Sequence, residues 1–151
     1  MLFLWLDDDS PDAEFVVGDT KVIPMKTCGE MNDWLQSTNP RPDAVIIDFI
    51  VPQGAWNRDE GLVPKVGRRF LETLIPSNRR GFVIAAFSMA LLQDERRKLA
   101  DLGVLAFAKR DISFIDLLAR VEEEVRARAG RELANAPSSP RSEDEAAGLV
   151  Q

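Results

Sequence analysis

The stretch Leu-Phe-Leu-Trp-Leu at residues 2–6, followed at once by Asp7, Asp8 and Asp9, decides the fold. Five consecutive apolar residues are too few for a helix and are typical of a buried β-strand. Three carboxylates directly after such a strand are unusual, since consecutive aspartates more often occupy solvated turns. The stretch therefore predicts a buried first strand that ends in an acidic cluster.

Short apolar runs of the same kind recur along the chain, at residues 21–25, 44–47, 82–87 and 104–108. Helical patterns lie between or after these runs, at residues 30–36, 66–75, 91–102 and 111–128. Strands that alternate with helices are typical of a parallel sheet covered on both faces. We therefore predict a doubly wound α/β fold with five parallel strands.

Two connections depart from this regular alternation. Residues 10–20 are too few, and include a proline and a glycine, for a full crossover helix, so we expect the first helix to be reduced or absent. Residues 49–65 contain two prolines and two glycines and predict a long loop. Loops of that length often have a functional role.

Several local signals predict where helices begin and end. Thr27 and Glu30 form the T-x-x-E pattern of a capping box, and Asp111 is the expected cap of the last helix. Gly103 is expected to end the helix predicted at residues 91–102, and Gly130 the helix predicted at residues 111–128.

The chain has 151 residues, which suits one domain of ordinary size. We assign residues 1–130 to this domain. Residues 131–151 are rich in serine and proline, carry an acidic run, and predict a disordered tail.

The composition excludes several classes of function. A single cysteine, Cys28, cannot form an internal disulfide, and the absence of histidine removes Ser-His-Asp and Cys-His catalysis. A net charge of −6 argues against direct binding to nucleic acid.

The sequence shows no signal peptide and no apolar run long enough for a membrane span, so we expect a cytoplasmic protein without membrane contact.

Polar residues stand at the predicted carboxyl ends of four strands: Asp7–Asp9, Asp48, Ser88 and Lys109. These ends meet at the edge of a parallel sheet where ligands bind. Several carboxylates in one cleft favour a bound hard cation such as Mg²⁺. One of them could then attack phosphorus, with the lysine and the serine hydroxyl stabilising the phosphoryl oxygens.

This series of residues resembles a CheY-like response-regulator receiver domain across residues 2–126. Pro52 stands four places after Asp48, Gly67 opens the third helix, and Gly103 precedes the last strand. The resemblance implies a flavodoxin-like sheet with strand order 2-1-3-4-5, in a short form that lacks most of the first helix. The opening Leu-Asp-Asp-Asp-Ser-Pro is also similar to a short-form group called cyclic-phosphate-processing receivers.

The resemblance also implies roles for individual residues. Asp48 would be the phosphoacceptor, Ser88 the switch hydroxyl, Lys109 the phosphate-pairing lysine and Phe107 the aromatic switch residue. Mg²⁺ would be bound by Asp7, Asp8, Asp48 and the backbone carbonyl of Ile50. The implied partners are a histidine kinase or phosphotransfer protein, which donates the phosphoryl group, and a downstream protein effector. Such a protein would be a stand-alone phosphoacceptor regulator rather than an enzyme.

Two other functions stay open from the sequence. The missing helix, the insertion after Asp48 and Arg110, where the family usually has proline, favour a pseudo-receiver that works by protein contact without phosphorylation. Asp7-x-Asp9 also resembles the nucleophile motif of haloacid-dehalogenase-type phosphohydrolases, with Asp7 attacking and Asp9 as acid and base. That family normally needs an acidic pair after the lysine, and the sequence offers Asp111 alone.

Overall fold

The structure is a computed structural model, which describes residues 1–56, 65–77 and 81–135. The described strands are β1 (Leu2–Leu6), β2 (Phe15–Val17), β3 (Thr20–Met25), β4 (Ala44–Ile47), β5 (Val83–Ser88) and β6 (Leu105–Ala108). The described helices are α1 (Cys28–Gln36), α2 (Val66–Ser77), α3 (Gln93–Asp101) and α4 (Phe114–Asn135). Within these ranges, no helix is both long enough and apolar enough to cross a bilayer.

The strands form one sheet in the order β2-β3-β1-β4-β5-β6. All neighbouring strands are parallel except β2, which runs antiparallel to β3. The five predicted strands are confirmed, and their order is the expected 2-1-3-4-5. Leu6 is in register with both Met25 and Ile47, so β1 ends level with both of its neighbours.

Strand β2 occupies the segment where the first crossover helix was expected to be reduced or absent. It forms a tight hairpin with β3, and Gly18 supplies the positive φ of 60° that the turn requires. Phe15 of β2 contacts Trp5 edge-on, with ring centroids 6.3 Å apart. The sequence did not predict this strand, because three residues are too few to show an alternating pattern.

The cap predicted for α1 is confirmed. The Thr27 hydroxyl accepts a hydrogen bond from the Glu30 amide at 3.1 Å, and the Glu30 carboxylate accepts one from the Lys26 amide at 3.2 Å. Gly103 follows α3 with a φ of 80°, as expected of a residue beyond a helix end.

The predicted boundaries of α4 are wrong at both ends. Ser113, not Asp111, precedes the helix and accepts a hydrogen bond from the Asp116 amide at 3.1 Å. The helix also continues through Gly130 to Asn135. Ion pairs from Glu124 to Arg128 and Arg131 span this region and offset the small cost of one helical glycine. The rest of the predicted tail, 136–151, lies outside the described residues.

The sheet has a hydrophobic cluster on each face. Helices α1, α2 and α3 cover one face, where Leu4 and Leu6 of β1 are fully buried. Helix α4 covers the other face, where Phe3 packs with Leu117 and Val121. This alternation along β1 follows from the two-residue period of a strand. A central strand buried on both faces explains why the first apolar run is unbroken.

Gly67, near the start of α2, lies against the end of β4. Its amide donates to the Phe49 carbonyl at 2.9 Å, and a Cβ at this position would lie 1.9 Å from the Asp48 carbonyl oxygen. No side chain fits this gap, so glycine is required for the helix to approach the residue that ends β4.

We expect Gly67→Ala to destabilise the protein by about 1–3 kcal/mol, because backbone must move to admit the methyl group. Gly130→Ala is the matched control, since a Cβ there would meet nothing within 4 Å. It should stabilise the protein by about 0.5–1 kcal/mol. Urea unfolding measures both, and equal effects would contradict the close approach at Gly67.

Cys28 is fully buried at the start of α1. Burial raises the pKa of its thiol from 9.0 to about 12, an effect that a backbone hydrogen bond partly offsets. The native thiol therefore stays protonated at pH values where the unfolded chain ionises. Above pH 9.0, loss of that proton stabilises the unfolded state.

Relative to a Cys28→Ala variant, we expect the free energy of unfolding of the wild-type protein to fall by about 1.4 kcal/mol for each pH unit above the ordinary pKa of a thiol. Urea unfolding on both sides of pH 9.0 measures the difference between the two proteins. Parallel curves for the two proteins would show that the thiol ionises as readily in the folded state.

Candidate functional site

Four polar side chains are placed by the carboxyl ends of four strands. Asp7 and Asp48 follow β1 and β4, Ser88 is the last residue of β5, and Lys109 follows β6. The backbone pairing of the sheet continues through them. The Asp48 amide donates to the Leu6 carbonyl at 2.9 Å, and the Lys109 amide donates to the Ser88 carbonyl at 3.2 Å. Their backbones are therefore fixed by the sheet rather than by loops.

Lys109 bridges the two buried carboxylates. Its Nζ lies 2.6 Å from Asp7 Oδ2 and 2.8 Å from Asp48 Oδ2. Burial lowers the pKa of Lys109, but its hydrogen bonds to Asp48 and Asp7, together with their negative charges, outweigh that effect and raise it. The ammonium therefore stays charged and offsets part of the repulsion between the two carboxylates.

The other oxygen of Asp48 accepts two further hydrogen bonds. Oδ1 lies 2.8 Å from the Ser88 hydroxyl and 3.1 Å from the Ile50 amide nitrogen. The Ser88 Oγ itself accepts from the Ala90 amide at 3.1 Å. Asp48 thus has a cation on one oxygen and neutral donors on the other, which fixes the plane of its carboxylate.

Three carboxylates at this edge could share a metal ion. One oxygen from each of Asp7, Asp8 and Asp48 lies within 4.8 Å of the others. Asp7 is held by the Asp9 amide, which donates to its Oδ1 at 2.9 Å, whereas Asp8 is exposed. An all-oxygen donor set with a net negative charge beside one lysine fits a hard divalent cation such as Mg²⁺ or Mn²⁺.

No protein-family model matches the chain, and no curated protein matches it. Several solved structures do match the chain. The receiver domain of the Francisella response regulator 1452 is 17% identical, with a TM-score of 0.61, over 83% of this chain and 97% of that one. A CheY-like receiver domain from Methanospirillum hungatei JF-1 is 14% identical, with a TM-score of 0.60, over 86% and 97%. This chain has the receiver-domain fold.

A third receiver-type structure, the Mn²⁺-bound form of response regulator Rcp1, is 15% identical to the chain with a TM-score of 0.51. The match covers 91% of this chain and 96% of that one. These likenesses agree with the fold expected from the sequence.

The receiver fold brings together five of the residues singled out in the sequence: Asp7, Asp8, Asp48, Ser88 and Lys109. The sequence predicted this convergence, because a polar residue stands at the carboxyl end of each of these apolar strands. Their roles in metal binding and phosphoryl transfer stay predictions.

Two other predicted residues are placed differently. Ile50 has an exposed side chain and directs its amide at Asp48, while its carbonyl as a metal ligand stays a prediction. Phe107 is half-buried against the cluster under α4, with the Arg120 guanidinium 5.6 Å from its ring centroid. Its role as a switch also stays a prediction.

The described part of the long loop after Asp48 is anchored on α1. The Pro52 and Gln53 carbonyls each accept, at 3.1 Å, a hydrogen bond from the first turn of that helix. Trp56 meets Phe70 of α2 edge-on, with centroids 5.2 Å apart. Residues 57–64 of the loop lie outside the described residues.

Sequence reasoning missed a buried carboxylate next to this site. Glu95 in the first turn of α3 is 5% exposed, and it forms ion pairs with Arg68 and with Lys65, the latter at 3.6 Å. A signal was present: Leu91, Glu95 and Leu99 are spaced by four residues, which places the charge within an apolar stripe.

We expect Lys109→Met to destabilise the protein by about 2–4 kcal/mol at neutral pH, because Asp7 and Asp48 lose their counter-charge while staying buried. Lys21→Met is the control. It breaks an exposed ion pair with Glu14 and should change stability by less than about 0.5 kcal/mol. Urea unfolding in a chelating buffer measures both variants, and a small, equal effect would show that the bridge does not hold the site.

Proposed function

We propose that this chain is a receiver-type signalling protein that accepts a phosphoryl group on the Asp48 carboxylate. The observation that supports it most directly is the position of Lys109, which contacts Asp7 and Asp48 together at the edge of a receiver fold. A buried carboxylate flanked by an ammonium, a hydroxyl and a backbone amide has the donors that a transferred phosphoryl group requires.

The transfer follows from the surroundings of Asp48. A carboxylate oxygen of Asp48 attacks phosphorus, the bond from phosphorus to the donor group breaks, and an acyl phosphate forms on Asp48. Lys109 and the Ser88 hydroxyl then move from the carboxylate to the phosphoryl oxygens. A divalent cation held by Asp7, Asp8 and Asp48, and by the Ile50 carbonyl, would offset the negative charge that meets there. The Mn²⁺ bound by the similar Rcp1 supports such a cation.

The proposed partners follow from the same chemistry. We propose that a histidine kinase or phosphotransfer protein donates the phosphoryl group, since these 151 residues contain no histidine that could carry it. Phosphorylation adds charge beside Ser88 and Lys109 and changes the surface that their strands carry. We propose that a protein effector reads this change by direct contact.

The competing functions gain less support. A pseudo-receiver has no need of the Lys109 bridge or of the bond from Ser88 to Asp48. For a haloacid-dehalogenase-type hydrolase, Asp111 would have to serve beside the lysine, but it pairs with Arg96 at 3.6 Å. Asp9, its expected acid and base, is exposed.

We expect acetyl phosphate with Mg²⁺ to add one phosphoryl group to the wild-type protein, as measured by intact mass. Asp48→Asn should abolish the label because it replaces the nucleophilic carboxylate with an amide. Asp9→Asn changes an exposed neighbouring aspartate and should keep it. Chelation of the metal should prevent labelling of the wild-type protein and of Asp9→Asn.

Absence of label on the wild-type protein would overturn the phosphoacceptor proposal and favour a pseudo-receiver. A label that survives in Asp48→Asn but is lost in Asp7→Asn would instead support the hydrolase. The variants therefore separate a phosphoryl group on Asp48 from one on Asp7.

A further inference from the structure

We propose that Glu95, Lys65 and Arg68, the Glu95 triad, act as positioning residues that hold the Ser88 hydroxyl against Asp48. This inference rests on the proposed function, since it concerns the same phosphoacceptor site. The triad contacts neither Asp48 nor the proposed metal ligands in any hydrogen bond or ion pair described for it. It would act through the chain segment that follows Ser88.

The position of the Ser88 hydroxyl depends on that segment. Ser88 Oγ donates to Asp48 and accepts from the Ala90 amide, at 2.8 and 3.1 Å. The hydroxyl can therefore meet Asp48 in this way only while the backbone at Ala90 stays in place. Met89 is 60% exposed, so little packing of its own side chain holds this turn.

The triad holds the segment at two points. Lys65 Nζ donates to the Ala90 carbonyl at 3.3 Å, and the Leu92 amide donates to Glu95 Oε1 at 3.1 Å. Leu91, between these points, is buried. The residues after Ser88 are thus fixed by one apolar side chain and two charged ones.

The same triad is tied to the other side of the site. Lys65 and Arg68 flank Gly67, whose missing side chain lets α2 approach the Asp48 carbonyl oxygen. The Arg68 amide donates to the Lys65 carbonyl at 2.9 Å, which joins these two residues in the first turn of α2. The contacts form a closed circuit from Asp48 through Ser88, Ala90, Lys65 and the turn at Gly67 back to Asp48.

The backbone conformation of Lys65 supports the positioning role of the Glu95 triad. Its φ of 49° lies in the left-handed region, which is unfavourable for a residue with a side chain. From this backbone the Lys65 ammonium contacts the Ala90 carbonyl and Glu95. Strain at a turn that contacts a candidate site is typical of residues with a functional constraint.

A triad that served only to join α2 to α3 would change stability alone, so the experiment measures ligand affinity. Glu95→Gln keeps an oxygen to accept from the Leu92 amide but removes the charge that holds Lys65. Asp94→Asn is the matched control, because it removes an exposed acidic charge from the same turn of α3. Affinities for Mg²⁺, and for beryllofluoride at saturating Mg²⁺, are measured where each variant is folded.

We expect Glu95→Gln to weaken beryllofluoride binding about tenfold, with Mg²⁺ affinity unchanged and Asp94→Asn equal to wild type. In a Ser88→Ala background, Glu95→Gln should have no further effect, because the group that it positions is gone. The same tenfold loss with and without the Ser88 hydroxyl would overturn the proposal. Lys65→Met gives the same test if Glu95→Gln does not fold.

Amide hydrogen exchange of the free protein separates this inference from the proposed function. Faster exchange at residues 88–92 in Glu95→Gln than in Asp94→Asn supports the positioning role. Equal exchange in the two variants overturns it, whatever the wild-type protein binds. Faster exchange in Glu95→Gln, with no beryllofluoride binding by the wild-type protein, overturns the phosphoacceptor function and leaves the positioning of Ser88 supported.

Discussion

The bridge from Lys109 to Asp7 and Asp48 is the interaction on which the rest of the site depends. Two carboxylates buried side by side at the end of adjacent strands repel each other, and a fixed ammonium from a third strand makes this arrangement tolerable. The strand order sets the geometry. Because β1 and β4 are neighbours and β6 lies beyond β5, the lysine reaches across the end of β5 to both acids. Ser88, at that end, is therefore next to the same pair.

The sheet and the five converging residues could be predicted from the sequence because their signals are local. Each apolar run stops where a polar residue begins, and the parallel arrangement brings those ends together. Strand β2 could not be predicted, because its three residues gain their conformation from pairing with β3. The predicted ends of α4 are wrong for two reasons. Ser113, rather than Asp111, caps the start of the helix, and the ion pair of Glu124 with Arg128 stabilises the helix near Gly130. The spacing of Leu91, Glu95 and Leu99 indicates that Glu95 is buried, but its ion pairs with Arg68 of α2 and with Lys65 just before α2 leave no local pattern in the sequence.

The hairpin of β2 and β3 compensates for the missing crossover helix on the face that α4 covers. Phe15 meets Trp5 at 6.3 Å, and Trp5 stacks on Phe114 at 3.9 Å. This aromatic group covers the end of β1 just before Asp7 and joins it to the start of α4. Helix α4 and the short hairpin together keep this face of the sheet buried, and they support the end of β1 that precedes the acidic residues.

The backbone anchors on both sides of the loop after Asp48 have a consequence for the chain next to that residue. Upstream, Pro52 and Gln53 are bonded to the first turn of α1, and downstream Gly67 is bonded to Phe49. The chain between Trp56 and Lys65 therefore begins and ends at fixed points that do not depend on its own length. The backbone bonds of Pro52 and Gln53 to α1, and of Gly67 to Phe49, therefore hold the chain next to Asp48 without any contribution from the segment between them.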